Sequence, residues 1–526
     1  MGSGVQRQSN CHLSKKAMKQ AQSHEKDVTG FFLLLAVVFG LAVRLYPILK
    51  TDFPLVDGGM FYTMVNDLRA EGFSLPLVTS YNQADIPFAY PPLGFYLAGL
   101  INLLTGISVL NILRWLPFLI SMLNIPLFYF MAERLIESKP KAALAALIFA
   151  LTPSAYWWNI VGGGLTRSLG VFFFTAVAFC VHQMFQRRSW SWVVAAGFSA
   201  AGCVLSHPAW AVQAAVASLV LWYFFGRDRQ GVFYAVIVAI GVLLLTSPWW
   251  FNVIRHHGLE TLLHAGQGSY SRLKIWTVFF TLSFTDEYTP VIAVFALCGI
   301  FMHAARKDYL PIVWAAMGLL AEPRGGLPAS TLPFSIMAMT VLSDGIATRL
   351  TPSTEWMDSL KQHSGRSFFG FFILLFTYNA FQVSDTLSYQ VLTKEERTAI
   401  EWVRSNTDPA DRFLVLDDEG NPLHSPLTEW FPALSERRSV ATIQGTEWLS
   451  GKSSYANQYD VVKNIQQCLY ADMNCIHNLE NLLTDEYSYI LISTAGGQSP
   501  LGSDLNAQAN AALVYSSTSV KVYRVK

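Results

Sequence analysis

Apolar residues along this chain gather into long blocks separated by short polar stretches, and the blocks stop near residue 384. About eleven of them have the length and composition of membrane-spanning helices. They lie at 30–49, 111–132, 141–158, 165–185, 190–206, 209–225, 231–251, 289–304, 309–321, 328–346 and 367–384. The stretch after the first block is different. From Asp52 to Leu104 the chain reads DFPLVDGGMFYTMVNDLRAEG, then a polar run, then FAYPPLGFYLAGLINLL. Met60, Phe61, Met64, Val65 and Leu68 recur at helical spacing, which predicts a short amphipathic helix lying on a membrane surface. Tyr90-Pro91-Pro92 opens a second helix, proline being preset for a first helical turn. Its apolar run of about a dozen residues is too short for roughly 30 Å of hydrocarbon, so it reads as interfacial or re-entrant. The two pieces are expected to form a lid and a floor around one carboxylate at the membrane boundary.

Charge then orients the spans. Residues 1–29 form a polar tail with Arg7, Lys15, Lys16, Lys19 and Lys26, which places the N-terminus in the cytoplasm. The first outer loop is then 50–110. Arg134, Lys139, Lys141, Arg187-Arg188, Arg227, Arg229, Arg306-Lys307, Arg349, Lys361 and Arg366 all fall inside on this count. Treating the YPP segment as a span would reverse every one of them. After the membrane domain of 30–384 the composition turns soluble. Thr393-Lys394-Glu395-Glu396 has the pattern of a capping box, in which the threonine and the glutamate satisfy free backbone amides reciprocally. Phe413–Leu416, Ser439–Ile443 and Tyr487–Ser493 read as strands, Asp460–Leu483 as largely helical, and Val514–Val525 as a closing hairpin. Residues 385–526 are thus a small α/β domain, extracytoplasmic by parity. It carries no phosphate-binding glycine fingerprint and so no assigned cofactor.

Composition agrees with that architecture. The chain has 526 residues, 52% hydrophobic and 14% charged, and its mean hydropathy is +0.33. These values describe a polytopic α-helical membrane protein, and the plasma membrane is its expected location. A net charge of +1 with no basic domain excludes a nucleic-acid partner. The six cysteines show no metal-binding spacing. Cys468 and Cys475 are either a disulfide or two unpaired thiols, depending on the compartment.

Few residues carry candidate chemistry. Asp57 is either the N-cap of the helix beginning near Gly59 or a functional carboxylate. Asp52 reads as a solvated loop acid. Arg167 in GGGLTRSLG and Arg324 in AEPRGGLP sit at the outer ends of spans, where a guanidinium either snorkels to the interface or grips a lipid phosphate through its planar fork. His207, His256, His257 and His264 share the outer side without the converging geometry zinc requires. Asp286-Glu287 is a second acidic pair, with capping of the next span as its simplest role.

Taken together, a cytoplasmic N-terminus, an outer loop with Asp57 followed by Tyr62, and a YPPL segment at Tyr90–Leu93 resemble the GT-C glycosyltransferases. These multi-span enzymes use polyprenyl-phosphate-linked sugars, as the protein O-mannosyltransferases and the lipid A aminoarabinose transferase do. The resemblance implies transfer from such a donor to a lipid, glycan or protein acceptor, with inversion and with Asp57 as base. It places Arg324, by position, near the donor phosphate; Arg167 is a second phosphate-binding candidate from its own glycine-flanked setting, and Tyr62, Tyr90 and His207 are candidates for the substrate pocket. The oligosaccharyltransferase branch pairs its first-loop acid with an acidic motif in the next outer loop. Here that loop reads NIVGGGLTR and has no carboxylate, which favours a metal-independent mechanism, with a divalent cation left open. A lipid or solute transporter (or flippase) and a non-catalytic relative are the competing readings. Few charges lie within the spans and no internal repeat stands out, which counts against transport.

Overall fold

A computed structural model describes residues 3–266, 290–321, 323–351, 355–449, 452–483 and 485–525. Over these residues every one of the eleven expected segments is helical. Seven helices are long and apolar enough to cross a membrane: Ser23–Lys50 (within α1, Ser3–Lys50), Val109–Ile136 (α4), Gly164–Arg187 (α6), Pro208–Phe225 (α8), Arg229–Leu263 (within α9, Arg229–Gly266), Pro328–Arg349 (beginning in α12, Pro323–Thr340) and His363–Leu387 (α13). The other four are shorter: Lys139–Leu151 (α5), Trp190–Val204 (α7), Pro290–Ala305 (α10) and Leu310–Ala321 (α11).

Three boundaries differ most from the sequence reading. The polar segment expected as a separate tail continues helix α1 from Ser3. Helix α5 ends at Leu151 instead of 158, because Pro153 drives Thr152 out of the helical region to an extended conformation. Trp157 and Trp158 are thereby left in short turns and do not finish a span. Helix α9 runs past 251 to Gly266, with Gly258 non-helical at φ 78°. The outer loop expected between the spans 231–251 and 289–304 therefore begins as helix, and Asp286-Glu287 lies outside the described residues.

The two pieces of the first loop are helices α2 (Gly59–Ala70) and α3 (Leu93–Thr105). Met60, Phe61, Met64, Val65 and Leu68 are all buried, as their spacing predicts. Their cover is protein, however, and not a membrane surface. They belong to a core shared with Phe95, Phe413, Trp430 and Phe431, so the C-terminal domain closes over this face. Burying such a row stabilises the docking by roughly 1.5–3 kcal/mol for each large side chain that is fully covered.

The C-terminal domain is a five-stranded sheet with flanking helices. Strands β1 (Arg412–Leu416), β2 (Arg438–Ser439), β3 (Tyr489–Ser493), β4 (Ala511–Ser516) and β5 (Val520–Val525) are ordered β2-β1-β3-β5-β4. Strand β1 runs parallel to β2 and β3, with Leu414 opposite Ile490. The β4–β5 hairpin closes the antiparallel edge. The strand expected at Ser439–Ile443 is cut short at Ser439, with the Val440 N–H on Phe413 O at 2.9 Å as its last bond to β1. The capping box is present at the start of α14 (Lys394–Asn406), with Thr393 and Glu396 bonding each other's backbone N–H groups. Helix α15 (Pro426–Ser435) was not anticipated.

Cys468 and Cys475 form a disulfide, with Cα atoms 5.5 Å apart. The chain it closes is short, so replacing Cys475 with serine should lower the stability of this domain by about 2 kcal/mol. A denaturant titration followed on the domain's own signal measures that change.

Candidate active site

The site is built where backbones pass at contact distance. Asp57-Gly58-Gly59 runs between Gly162-Gly163-Gly164 on one side and Glu429-Trp430 of α15 on the other. Gly162 N–H bonds Leu55 O at 2.9 Å, and a Cβ on Gly162 would lie 1.9 Å from the Asp57 carbonyl oxygen. A Cβ on Gly59 would lie 2.5 Å from the Glu429 carbonyl oxygen. Glycine is required at both positions. Replacing Gly162 with alanine should push the Asp57 loop away at a cost of roughly 1–3 kcal/mol. Hydrogen exchange of the 55–65 backbone would register the displacement.

The approach to Asp57 is strained. Val56 is buried with φ at +55°, a conformation that β-branched residues rarely adopt. It is held by its N–H on Gln390 O at 2.7 Å and by the Leu55–Val391 bridge, in the linker between α13 and α14. Arg114 of α4 secures the preceding turn by donating to Ile48 O at 2.8 Å and to Thr51 O. The chain therefore reaches Asp57 along a fixed path.

Asp57 does not cap α2. Gly58 is the N-cap, with φ 122° and no side chain to offer. The Asp57 carboxylate turns the other way, accepting the Gly163 N–H at 2.8 Å on Oδ1 and pairing with Arg167 Nη2 on Oδ2. The two side chains are 14% and 15% exposed, which shields the pair from bulk water without sealing it. Arg167 sits in the first turn of α6, with its guanidinium 4.5 Å from the Trp158 ring. Its Nε is buried and has no hydrogen-bond partner among the described residues.

Tyr90 and His207 join this side of the molecule. Thr166 donates to the Tyr90 hydroxyl at 3.4 Å, and the Tyr90 ring lies 6.0 Å from His207 and 5.7 Å from Trp448. Burial pushes the Tyr90 phenol up to about 12, so it stays a hydrogen-bond donor at neutral pH. Tyr62 is elsewhere. It lines a cleft of about 430 Å³ with Asn66, Gln83, Arg404 and Arg437, its ring 6.1 Å from Trp430. Arg324 falls in the first turn of α12, and its side chain lies outside the described residues. Asp52 pairs with Arg397 at 2.7 Å and is 75% exposed, a solvated loop acid as expected. Among the described residues no three His, Cys, Asp or Glu side chains converge as a metal site.

Two further groups come from the C-terminal domain. The His424 ring packs at a tilt against Trp158, with centroids 5.5 Å apart. Burial holds its imidazole below the usual range, with Asp57 pulling it up and Arg167 pushing it down. Glu429 on α15 is 6% exposed, and its Oε1 accepts the Gly58 N–H at 2.8 Å. Burial, with Asp57 adding like charge, raises its carboxyl to about 8. The only local signal for Glu429 is a lone acid inside the apolar run LTEWFPAL behind a Ser-Pro helix start.

Residues 89–251 match the family described as dolichyl-phosphate-mannose-protein mannosyltransferase, a segment that includes Tyr90, Arg167 and His207 but not Asp57. No curated protein sequence matches the chain. Among solved structures it is similar to the oligosaccharyltransferase AglB of Archaeoglobus fulgidus, bound there to an inhibitory peptide and a dolichol-phosphate. The two share 13% identity and a TM-score of 0.51, over 88% of this chain and 69% of that one. It is also similar to apo ArnT of Cupriavidus metallidurans, with 14% identity and a TM-score of 0.52, over 94% and 98%. Arabinofuranosyltransferase AftD from Mycobacteria gives 16% identity and a TM-score of 0.55, over 93% of this chain and 41% of that one. Identities this low establish the fold. With its apolar helices and its small C-terminal sheet, the chain is a multi-pass membrane protein that shares the fold of these solved structures.

Proposed function

We propose that this protein transfers a sugar from a polyprenyl-phosphate-linked donor to an acceptor hydroxyl or amine, with inversion and with Asp57 as the base. The observation that carries the reading is the Asp57–Arg167 pair, partly shielded where α6 begins. A lone acid and a lone cation are the minimum for this reaction. The acceptor atom attacks the anomeric carbon, and its proton passes to the Asp57 carboxylate. The bond from that carbon to the phosphate oxygen breaks, and its electron pair stays on the phosphate. Arg167 offers that growing charge a planar, permanently ionised donor set. The isoprenoid tail would lie among the apolar helices, with Arg324 as a second cation near the headgroup. Tyr90 and His207 line the approach, and Tyr62 extends it only if the acceptor wraps around α2.

Dolichol-phosphate in the similar AglB structure supports a lipid-linked donor here. The Cys468–Cys475 disulfide supports an extracytoplasmic C-terminal domain, because such bonds persist in oxidising compartments. The site lies on the same side of the helices as that domain, so the reaction is assigned to the extracytoplasmic face and the N-terminus to the cytoplasm. Nothing in the proposed step calls for a cofactor.

The test is reconstitution. The full chain in proteoliposomes made with a bacterial or yeast membrane lipid extract should move sugar from the isoprenoid lipid fraction to a second pool. Movement of lipid or solute across the bilayer without sugar transfer would reverse the reading in favour of a transporter.

A further inference from the structure

Helix α2 begins without a cap of its own. Its first turn presents free backbone N–H groups, and the residue at the N-cap position is Gly58. No side chain fits there, because a Cβ on Gly58 would come within 2.9 Å of the Gly162 backbone and one on Gly59 would strike Glu429 O. The cap arrives from 371 residues along the chain. Glu429 takes the Gly58 N–H on Oε1 at 2.8 Å, and the Met60 N–H also bonds to its carboxyl.

The surroundings hold Glu429 in place. Its carbonyl oxygen accepts the buried Tyr81 hydroxyl at 2.8 Å, and the next residue, Trp430, packs on Phe53 with centroids 4.8 Å apart. No ion pair offsets Glu429 among the described residues. A serine or threonine would cap a helix at less desolvation cost. Placing a deeply buried acid here, one peptide unit from Asp57, has no packing explanation. It does connect the docked position of the C-terminal domain to the backbone that aims Asp57.

We propose that Glu429 is a positioning residue: by capping α2 across the domain boundary it fixes Asp57 against Arg167, so that the site is complete only while the C-terminal domain is docked. The proposal rests on Asp57 acting as the base, and its test separates the two claims.

The full-length chain and its Glu429→Ala, Glu429→Gln and Asp57→Asn variants are compared in proteoliposomes, with membrane lipid extract as donor. Backbone hydrogen exchange is followed over residues 56–62. Glu429→Ala should speed exchange at Gly58–Met60 at least tenfold and lower kcat at least tenfold, with KM for the lipid extract within twofold. Glu429→Gln retains an acceptor oxygen for Gly58 and should recover most of both losses. Unchanged exchange in Glu429→Ala overturns the proposal, and so does faster exchange with an unchanged kcat. If Glu429→Ala does not fold, a folded Glu429→Gln that transfers no better than background also overturns it. Transfer retained in Asp57→Asn sinks the assignment of the base instead, and the exchange data then judge the Glu429 contact alone.

Discussion

Asp57→Asn is expected to slow sugar transfer about 10³-fold, or ~4 kcal/mol of barrier. The substitution preserves shape. An asparagine carbonyl still accepts the Gly163 N–H that Asp57 Oδ1 accepts now, so the loop should stay in place. What it loses is the capacity to take a proton from the acceptor, because an amide is not a base at neutral pH. It also releases Arg167 from its ion pair. Binding of a polyprenyl phosphate should therefore hold or tighten while kcat collapses, since the freed guanidinium has only the phosphate to satisfy. A parallel loss of lipid binding and transfer would mean that Asp57 organises the pocket and does not act in the chemical step. Thermal unfolding separates both outcomes from misfolding.

Arg167→Ala should cost about 10²-fold in kcat, the scale of removing one donor from a developing oxyanion. Its effect is expected to differ in kind from that of Asp57→Asn. Removing the guanidinium leaves Asp57 with the Gly163 N–H as its remaining bond, and leaves Trp158 without the cation above its ring. Donor binding should weaken together with kcat. Arg167→Lys should recover only part of the loss. An ammonium is a point charge that can meet Asp57 or a phosphate, whereas the planar fork presents separate N–H groups to both. Steady-state kinetics against lipid concentration distinguishes the three proteins. A lysine variant with full activity would show that charge alone suffices at this position.

Much of the architecture was legible because it follows from local rules. The eleven apolar segments and the buried face of α2 can be read from hydropathy and from a period of 3.6 residues. The capping box at Thr393–Glu396 is a four-residue pattern with one geometric meaning. Asp57 and Arg167 could each be singled out, the first by its loop and the second by its glycines. Their pairing could not. It depends on Gly162 and Gly163 letting two backbones touch across 106 positions of sequence, and no local rule reports that approach.

The C-terminal half of the site was hidden for a similar reason. Helix α15 is short, has Pro432 inside it, and places Glu429 among Leu427, Trp430 and Phe431. In that company an acid reads as an interruption of an apolar run. It becomes interpretable once Gly58 is seen to need a cap that its own segment cannot supply. The cover over α2 was misjudged on the same grounds, because an amphipathic face looks alike whether a bilayer or a neighbouring domain lies against it.

Arg167, at the start of α6 and paired with Asp57, should hold an isoprenoid phosphate for sugar transfer. Mass spectrometry of lipids that co-purify with the full-length protein and with Arg167→Ala tests it most directly. A polyprenyl phosphate or its glycosylated form should accompany the wild-type chain and be depleted at least tenfold from the variant. A wild-type protein that carries ordinary phospholipids but no isoprenoid phosphate, or a variant that retains the isoprenoid in full, would contradict it.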